Sequence, residues 1–162
     1  MTVAVSITPT LIDALYATFS DALDGELVTV YDGYALTEDP GTRLEIGVDD
    51  PYTSSLAPSA QSAIEWASYG AGQVGGIREQ RGDITCSMAV LDGDSDAKSA
   101  RDNAYYWLGL CAAAIKADLT LGGVEGLQWI RLSQDNLYQG LDEDGASCVL
   151  VFTINFYAYL SS

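Results

Sequence analysis

The segment from Asp94 to Leu119 constrains the fold most, because its apolar residues repeat with the period of an α-helix. The residues on one helical face are Ala97, Ala100, Ala104, Trp107, Leu108, Cys111, Ile115 and Leu119. Asp94 or Ser95 is suited to cap the first turn, and Lys116 lies in the last turn, where a cation is favoured. Small residues on this face allow close packing against a flat partner. The segment therefore predicts a long helix that lies across a β-sheet.

Segments with the pattern of β-strands lie on both sides of this helix. The expected strands are 27–33, 43–50, 62–69, 81–91, 127–132 with an extension toward 138, and 148–160. The last of them alternates without interruption, which is typical of a strand with one buried face. Asp144-Gly145 before it is a strong signal for a two-residue hairpin loop. The reverse face of this last strand carries Tyr157 and Tyr159, and such a face often meets another subunit.

A first helix is expected over 9–23, since Thr8-Pro9 provides a helix start and Asp24-Gly25 an end. A chain of 162 residues without a break in composition predicts a single domain, 1–162. The order of elements predicts an α+β fold. Its mostly antiparallel or mixed β-sheet is packed by the N-terminal helix and by one long central helix.

The chain is strongly acidic, with 7 basic and 23 acidic residues and a net charge of −16. Six of the seven bases fall between Arg78 and Arg131, whereas 132–162 hold four acids and no base. An acidic surface repels nucleic acid and anionic lipid, which disfavours a protein that grips DNA. Solubility is the plain interpretation of this charge. The alternative is a surface that faces DNA without holding it.

No motif in the sequence requires an enzyme. The chain has no histidine, which excludes a Ser-His or Cys-His nucleophile pair and an imidazole metal ligand. Residues 70–75 match G-x-G-x-x-G, but glycines and a strand follow where a nucleotide-binding site needs a helix. Asp92, Asp94 and Asp96 are spaced like calcium ligands, but the glycine and the glutamate of such a loop are missing. No catalytic residue, cofactor or metal is expected.

The cysteines and the hydropathy indicate a protein of the reducing cytosol. Cys86, Cys111 and Cys148 are widely spaced and lie in apolar patterns, so we expect buried, reduced thiols. No run approaches the roughly 20 apolar residues of a membrane span, and no signal peptide is expected.

Several segments in order resemble the small tail terminator proteins of long-tailed bacteriophages, in particular phages of actinobacteria. They are VYDGY (30–34), LEIGVDDP (44–51), REQRGDITCSMAVLDGD (78–94), AKSARDNAYYWL (97–108), LGG (121–123) and the C-terminal hairpin. The resemblance implies a sheet packed by helices and a ring, usually a hexamer. Such a ring caps the tail tube, ends its polymerisation and contacts the connector on the head side.

The partners implied by this resemblance are other copies of the chain, the tail tube protein and the head-tail connector protein. DNA would pass through the ring without specific binding, and no membrane is involved. The protein would be assembled in the host cytoplasm and reside in the tail or neck of the virion. The family has no catalytic residues to carry over.

Two sets of residues are expected to serve such a ring. The subunit-interface candidates are Arg78, Arg81, Lys98, Arg101, Tyr157 and Tyr159, and the lumen-loop candidates are Asp49, Asp50, Gly70, Gly72, Gly75 and Gly76. Bases within 78–131 of one copy are expected to meet acids within 1–77 of the next, a heterologous contact that can close into a ring. Trp107 and Trp129 are expected in the core.

Three alternatives stay open on the sequence. A head-completion or connector protein of the phage neck shares the size, the acidity and the ring habit. A cytosolic module that binds a small ligand near 70–76 belongs to a different class. An enzyme that uses paired carboxylates is the third, although no pair can be named from spacing.

Overall fold

The computed structural model describes residues 5–37, 41–52, 58–66, 78–94 and 96–160. In chain order the elements are α1 (Thr8–Ala22), β1 (Thr29–Asp32), β2 (Arg43–Ile46), β3 (Ala60–Trp66), β4 (Arg78–Asp92), α2 (Ala97–Ala117), β5 (Leu127–Asp142) and β6 (Gly145–Leu160). The predicted α+β class, with two helices on a mixed and mostly antiparallel sheet, is confirmed. Within these ranges no helix is long and apolar enough to cross a membrane.

The six described strands form one sheet with the order β1-β2-β4-β6-β5. β1 pairs with β2 in parallel, and the other pairs are antiparallel. The edge of β4 that faces away from β6 is shared by β2, which pairs with its C-terminal half, and β3, which pairs with its N-terminal half. β4, β5 and β6 have 15, 16 and 16 residues. At about 3.3 Å per residue, these three strands are roughly 50 Å long.

Both helices cover the same face of the sheet. The even-numbered residues Ile84, Cys86, Met88 and Val90 of β4 lie in the core, together with the even-numbered residues of β6. The predicted face of α2 packs on them, and Phe19 of α1 contacts Phe152 with ring centroids 6.5 Å apart. The alternation predicted for these two strands is therefore confirmed. Burial of this face supplies the main apolar stabilisation of the fold.

The ends of α2 differ in detail from the prediction. Asp96 is the N-cap, since its carboxylate accepts hydrogen bonds from the amides of Lys98 (3.0 Å) and Ser99 (3.1 Å). Asp94 instead belongs to the preceding turn, where its amide donates to the Asp92 carboxylate at 2.9 Å. Ser95 lies outside the described residues. α2 ends at Ala117, so Leu119 was wrongly placed on the helix and is exposed.

The hairpin between β5 and β6 is confirmed, but its loop lies one residue earlier than predicted. Asp142 pairs with Gly145, which leaves Glu143 and Asp144 as the two loop residues. Gly145 has φ +125°, and a Cβ there would lie 2.3 Å from the carbonyl oxygen of Asp92. The glycine is therefore needed for close packing of the hairpin against the turn after β4.

A buried amide joins α1 to the sheet. Gln80 of β4 is fully buried, and its Oε1 accepts a hydrogen bond from the Ile7 amide at 2.9 Å. Its Nε2 lies 2.7 Å from Ser6 Oγ, 2.9 Å from Thr8 Oγ1 and 3.0 Å from Ser62 Oγ. An amide nitrogen has two hydrogens, so two of these three oxygens can accept at one time. Gln80 thus fixes the start of α1 against β3 and β4.

We expect Gln80→Leu to lower the free energy of unfolding by about 2–3 kcal/mol, because a similar volume is kept while the Ile7 amide loses its acceptor. Urea denaturation measures the change. Gln61→Leu on β3 is the matched control, since Gln61 is exposed and its loss should cost no more than about 0.5 kcal/mol. Equal losses in the two variants would contradict the anchoring role of Gln80.

Candidate subunit interface

The face of the sheet opposite the helices carries the odd-numbered residues of β4 and β6. Paired residues point to the same side, so the registers define rows across the strands. One row contains Arg81, Tyr157 and Trp129 on β4, β6 and β5. In the neighbouring row, Asn155 stands between Asp83 and Arg131, and its amide donates to the Asp83 carboxylate.

Aromatic rings and guanidinium groups are stacked in these rows. Arg81 lies over the Tyr157 ring at 4.9 Å, and Arg131 lies over the Trp129 ring at 5.1 Å. Tyr157 contacts Trp129 with centroids 6.0 Å apart, and it meets Tyr159 edge-on at 5.3 Å. We name this cluster the aromatic patch; its members are Arg81, Trp129, Arg131, Tyr157 and Tyr159.

The hydrogen bonds of the aromatic patch change the pKa of one tyrosine. The pKa of Tyr157 is raised above its ordinary value. The largest cause is the hydrogen bond with the Tyr159 hydroxyl, followed by desolvation and by the nearby Glu79 carboxylate. The side chain of Arg81 is 73% exposed, and within the described part of the chain its one carboxylate contact is with Glu79, at 3.9 Å. A guanidinium stacked on a ring keeps its edge available for hydrogen bonds. The aromatic patch therefore combines the residue types that are enriched at protein interfaces.

The structure brings together three of the six predicted interface residues, namely Arg81, Tyr157 and Tyr159. Arg78 lies at the same end of β4, in register with Leu160 of the helix-covered face. Lys98 and Arg101 lie on α2, and both form ion pairs with Asp102; the Arg101 Nη2 to Oδ1 distance is 3.2 Å. Both contacts lower the pKa of the Asp102 carboxyl, and the hydrogen bond from Lys98 has the largest effect.

Trp129 and Arg131 are the members of the aromatic patch that were not predicted. Trp129 was expected in the core but is 36% exposed. The reason is a β-bulge between Leu127 and Trp129, which adds one residue to β5. Leu127 consequently points to the core while Trp129 points to the opposite face. Arg131 then lies on the same face as Trp129, because side chains alternate between the two faces along the strand.

A short segment crosses the same face of the sheet beside the aromatic patch. We name residues 48–52 the strap. It begins where the amides of Gly47 and Val48 both donate to the Thr85 carbonyl, at 2.9 and 3.0 Å. On the far side, Tyr52 stacks on Tyr138 of β5 with centroids 4.2 Å apart. The strap thus connects β2 to β5 across the two central strands.

Two tyrosine hydroxyls fasten the strap. Tyr138 Oη donates to Asp50 Oδ2 at 3.0 Å, and Tyr34 Oη donates to Asp49 Oδ1. These carboxylates raise the pKa of Tyr138 and of Tyr34. Asp49 and Asp50 are thus hydrogen-bonded on the sheet face, and their place in a lumen stays a prediction. The other lumen candidates, Gly70, Gly72, Gly75 and Gly76, lie outside the described residues.

Two depressions flank the strap. A polar groove of about 480 Å³ has side chains from β3, β4, β5 and β6, including Gln61, Asp83, Ser133 and Asn155. A second pocket of about 400 Å³ lies against Arg43, whose Nε is 3.3 Å from Glu45 Oε2. Across the described ranges, no group of three His, Cys, Asp or Glu residues could hold a metal ion.

The three cysteines are free and buried, as predicted. Burial raises the pKa of Cys86 and of Cys111 to about 12, and it also raises the pKa of Cys148. A thiol with so high a pKa forms almost no thiolate near neutral pH. These cysteines are therefore poor nucleophiles and serve as packing residues.

Comparisons with known proteins find matches among solved structures. No family model matches, and no curated protein matches. The fold is similar to a chain in a solved structure titled "Virion of native gene transfer agent (GTA) particle", with a TM-score of 0.48 and 13% identity. The match covers 96% of this chain and 99% of that chain. The TM-score and the identity are too low to assign a function.

We expect Tyr138→Phe to lower the free energy of unfolding by about 0.5–1 kcal/mol, because it removes the hydroxyl that donates to Asp50 but keeps the ring under Tyr52. Hydrogen exchange should become faster in the strap and stay unchanged in β4. Tyr16→Phe on α1 is the control, since this exposed ring has no role in the strap. Unchanged exchange in the strap of Tyr138→Phe would show that stacking alone holds it.

The strap should also respond to alkaline pH. Because the pKa values of Tyr34 and Tyr138 are raised in the folded protein, their stabilisation is complete below the ordinary tyrosine pKa of about 10. It is lost as the pH rises through the higher folded values. An absorbance titration of phenolate should therefore lose a late-titrating group in Tyr138→Phe.

Proposed function

We propose that the protein is a structural component of a phage-like virion, a tail terminator. Copies form a ring, taken as a hexamer, that caps the tail tube, ends its polymerisation and contacts the connector on the head side. The observation that carries the proposal is the aromatic patch on a sheet face that the two helices leave uncovered. A partner protein is the natural occupant of such a surface.

The residues of the sheet support an assembly function more than a catalytic one. The aromatic patch contains a tryptophan, two tyrosines and two arginines, which are the residue types that dominate binding energy at interfaces. The three buried thiols offer no nucleophile. Among the described residues, those that line the nearby polar groove provide amides, hydroxyls and one carboxylate, and not the paired carboxylates of the enzyme alternative.

The charge supports a ring through which DNA passes. A chain with a net charge of −16 gives an assembly that repels DNA over most of its surface. In this proposal Asp49 and Asp50 lie toward the lumen, so that DNA slides past the sheet without being held. Bases within 78–131 contact acidic residues of the adjacent copy.

Light scattering, followed by negative-stain imaging with and without purified tail tubes, tests the proposal. We expect rings in solution and rings at the ends of tubes. Rings that ignore tubes but bind the portal side would identify a connector of the neck instead. A monomer that does not bind tubes at any concentration would contradict the proposal of a ring component and favour the ligand-binding module. Saturable thermal stabilisation by a small molecule would then test for that module.

Charge reversal tests the contribution of the bases at one end of β4. We expect Arg78→Glu and Arg81→Glu together to weaken ring assembly, because both positions lie at this end of the strand and the introduced glutamates would repel the acidic neighbour. The mass distribution by light scattering measures the change. Unchanged assembly would contradict pairing through these bases.

A further inference from the structure

The two ends of the β5–β6 hairpin have opposite chemical character. The aromatic patch lies where β5 begins and β6 ends, with Arg81 and Arg131 exposed on it. At the other end are the hairpin loop, with Glu143 and Asp144, and the end of β5 at Asp142. We name the second region the acidic tip; its carboxylates are Asp92, Asp94, Asp142, Glu143 and Asp144.

The acidic tip is one compact surface. A Cβ on Gly145 would touch the Asp92 carbonyl oxygen, which shows that the loop packs on the turn after β4. From 132 to 162 the chain contains no lysine or arginine. Two leucines stand beside these carboxylates with large exposed areas, Leu141 at 69% and Leu91 at 52%. The acidic tip therefore offers negative charge together with apolar surface.

The aromatic patch offers the complementary combination. The guanidinium groups of Arg81 and Arg131 lie over aromatic rings. Among the described residues, Arg131 has no carboxylate within 4.0 Å, although the chain has 23 acids. Arginine forks bind carboxylates with two parallel hydrogen bonds. The exposed ring of Trp129 can at the same time receive a leucine side chain.

One copy cannot bring these two surfaces together. They lie at opposite ends of one antiparallel hairpin, roughly 40 Å apart along the strands. The register between β5 and β6 extends from one end to the other, so the hairpin cannot fold back on itself. Contact between the two surfaces therefore requires a second copy of the chain.

We propose that the acidic tip of one copy docks on the aromatic patch of the next. Glu143 and Asp144 bind Arg81 and Arg131, and the exposed leucines contact Trp129. The contact is heterologous, because two different surfaces meet, and it closes into a ring when the rotation between copies allows. The inference rests on the proposed ring. It replaces the acids expected within 1–77 by Glu143 and Asp144 as the partners of the bases.

The test compares four forms of the full chain by light scattering over a range of concentrations. The patch variant is Arg81→Glu with Arg131→Glu, and the tip variant is Glu143→Lys with Asp144→Lys. Each should raise the concentration needed for assembly by at least about tenfold. The variant with all four substitutions restores opposite charges across the contact, and it should recover most of the assembly.

Controls separate this contact from general charge effects. Asn103→Glu, Ala113→Glu, Ala117→Glu and Leu119→Glu together make the same change in net charge as the patch variant, but at exposed positions on and just after α2, and this control should assemble like the unchanged protein. An equal loss in this control, or no recovery in the fourfold variant, would overturn the docking. Circular dichroism and urea midpoints verify that each variant folds.

A second measurement does not depend on charge. Arg131→Cys in one chain and Glu143→Cys in another should form a mixed disulfide when the two are combined, since the native thiols are buried. Tyr16→Cys replaces Glu143→Cys as the control and should give none. Rings that assemble with no mixed disulfide would overturn the contact but leave the ring intact. Absence of rings in the unchanged protein would overturn the proposed function as well.

DNA is the competing ligand for exposed arginines. A fluorescent DNA duplex that binds the unchanged protein and is released by the patch variant would assign the aromatic patch to phosphate, and would overturn the docking. We expect no binding at physiological salt, because the net charge of −16 opposes it.

Discussion

The unbroken register between β4 and β6 is the constraint on which the other features depend. Fifteen residues of β4 pair with fifteen of β6, from Arg78 with Leu160 to Asp92 with Ala146. Because side chains alternate with a period of two, this register places every even-numbered residue under the helices and every odd-numbered one on the opposite face. A shift of β4 by one residue against β6 would expose Ile84 and bury Arg81 beneath α2.

The same alternation explains how far the sequence could predict the structure. Period 3.6 over α2 and period 2 over β4 and β6 are repeated many times, so the core and the Tyr157 face followed from them. A bulge adds a single residue and leaves no trace in the composition, so no pattern indicated that Trp129 lies on the uncovered face. The strap depends on contacts over long separations, such as Asp50 with Tyr138, which no local pattern indicates.

The topology of the fold determines which charged residues become neighbours. The bases within 78–131 form one block in the sequence, but the fold divides them between two layers. Lys98 and Arg101 are paired with Asp102 on α2, whereas Arg81 and Arg131 stand on the uncovered face. Sequence spacing alone could not separate the two groups, since the register of β5 determines which arginines become neighbours.

In the proposed ring, the bulges of β5 favour contact between copies through faces over pairing of strand edges. β5 is at the end of the strand order, and a straight strand of 16 residues there would offer a long template for pairing with another chain. Two bulges, between Leu127 and Trp129 and between Leu132 and Gln134, bend and twist this edge. Edge pairing can add copies without limit, whereas contact between a tip and a face fixes a rotation from one copy to the next. In the proposed ring, the rotation fixed by the acidic tip and the aromatic patch is the one that must close.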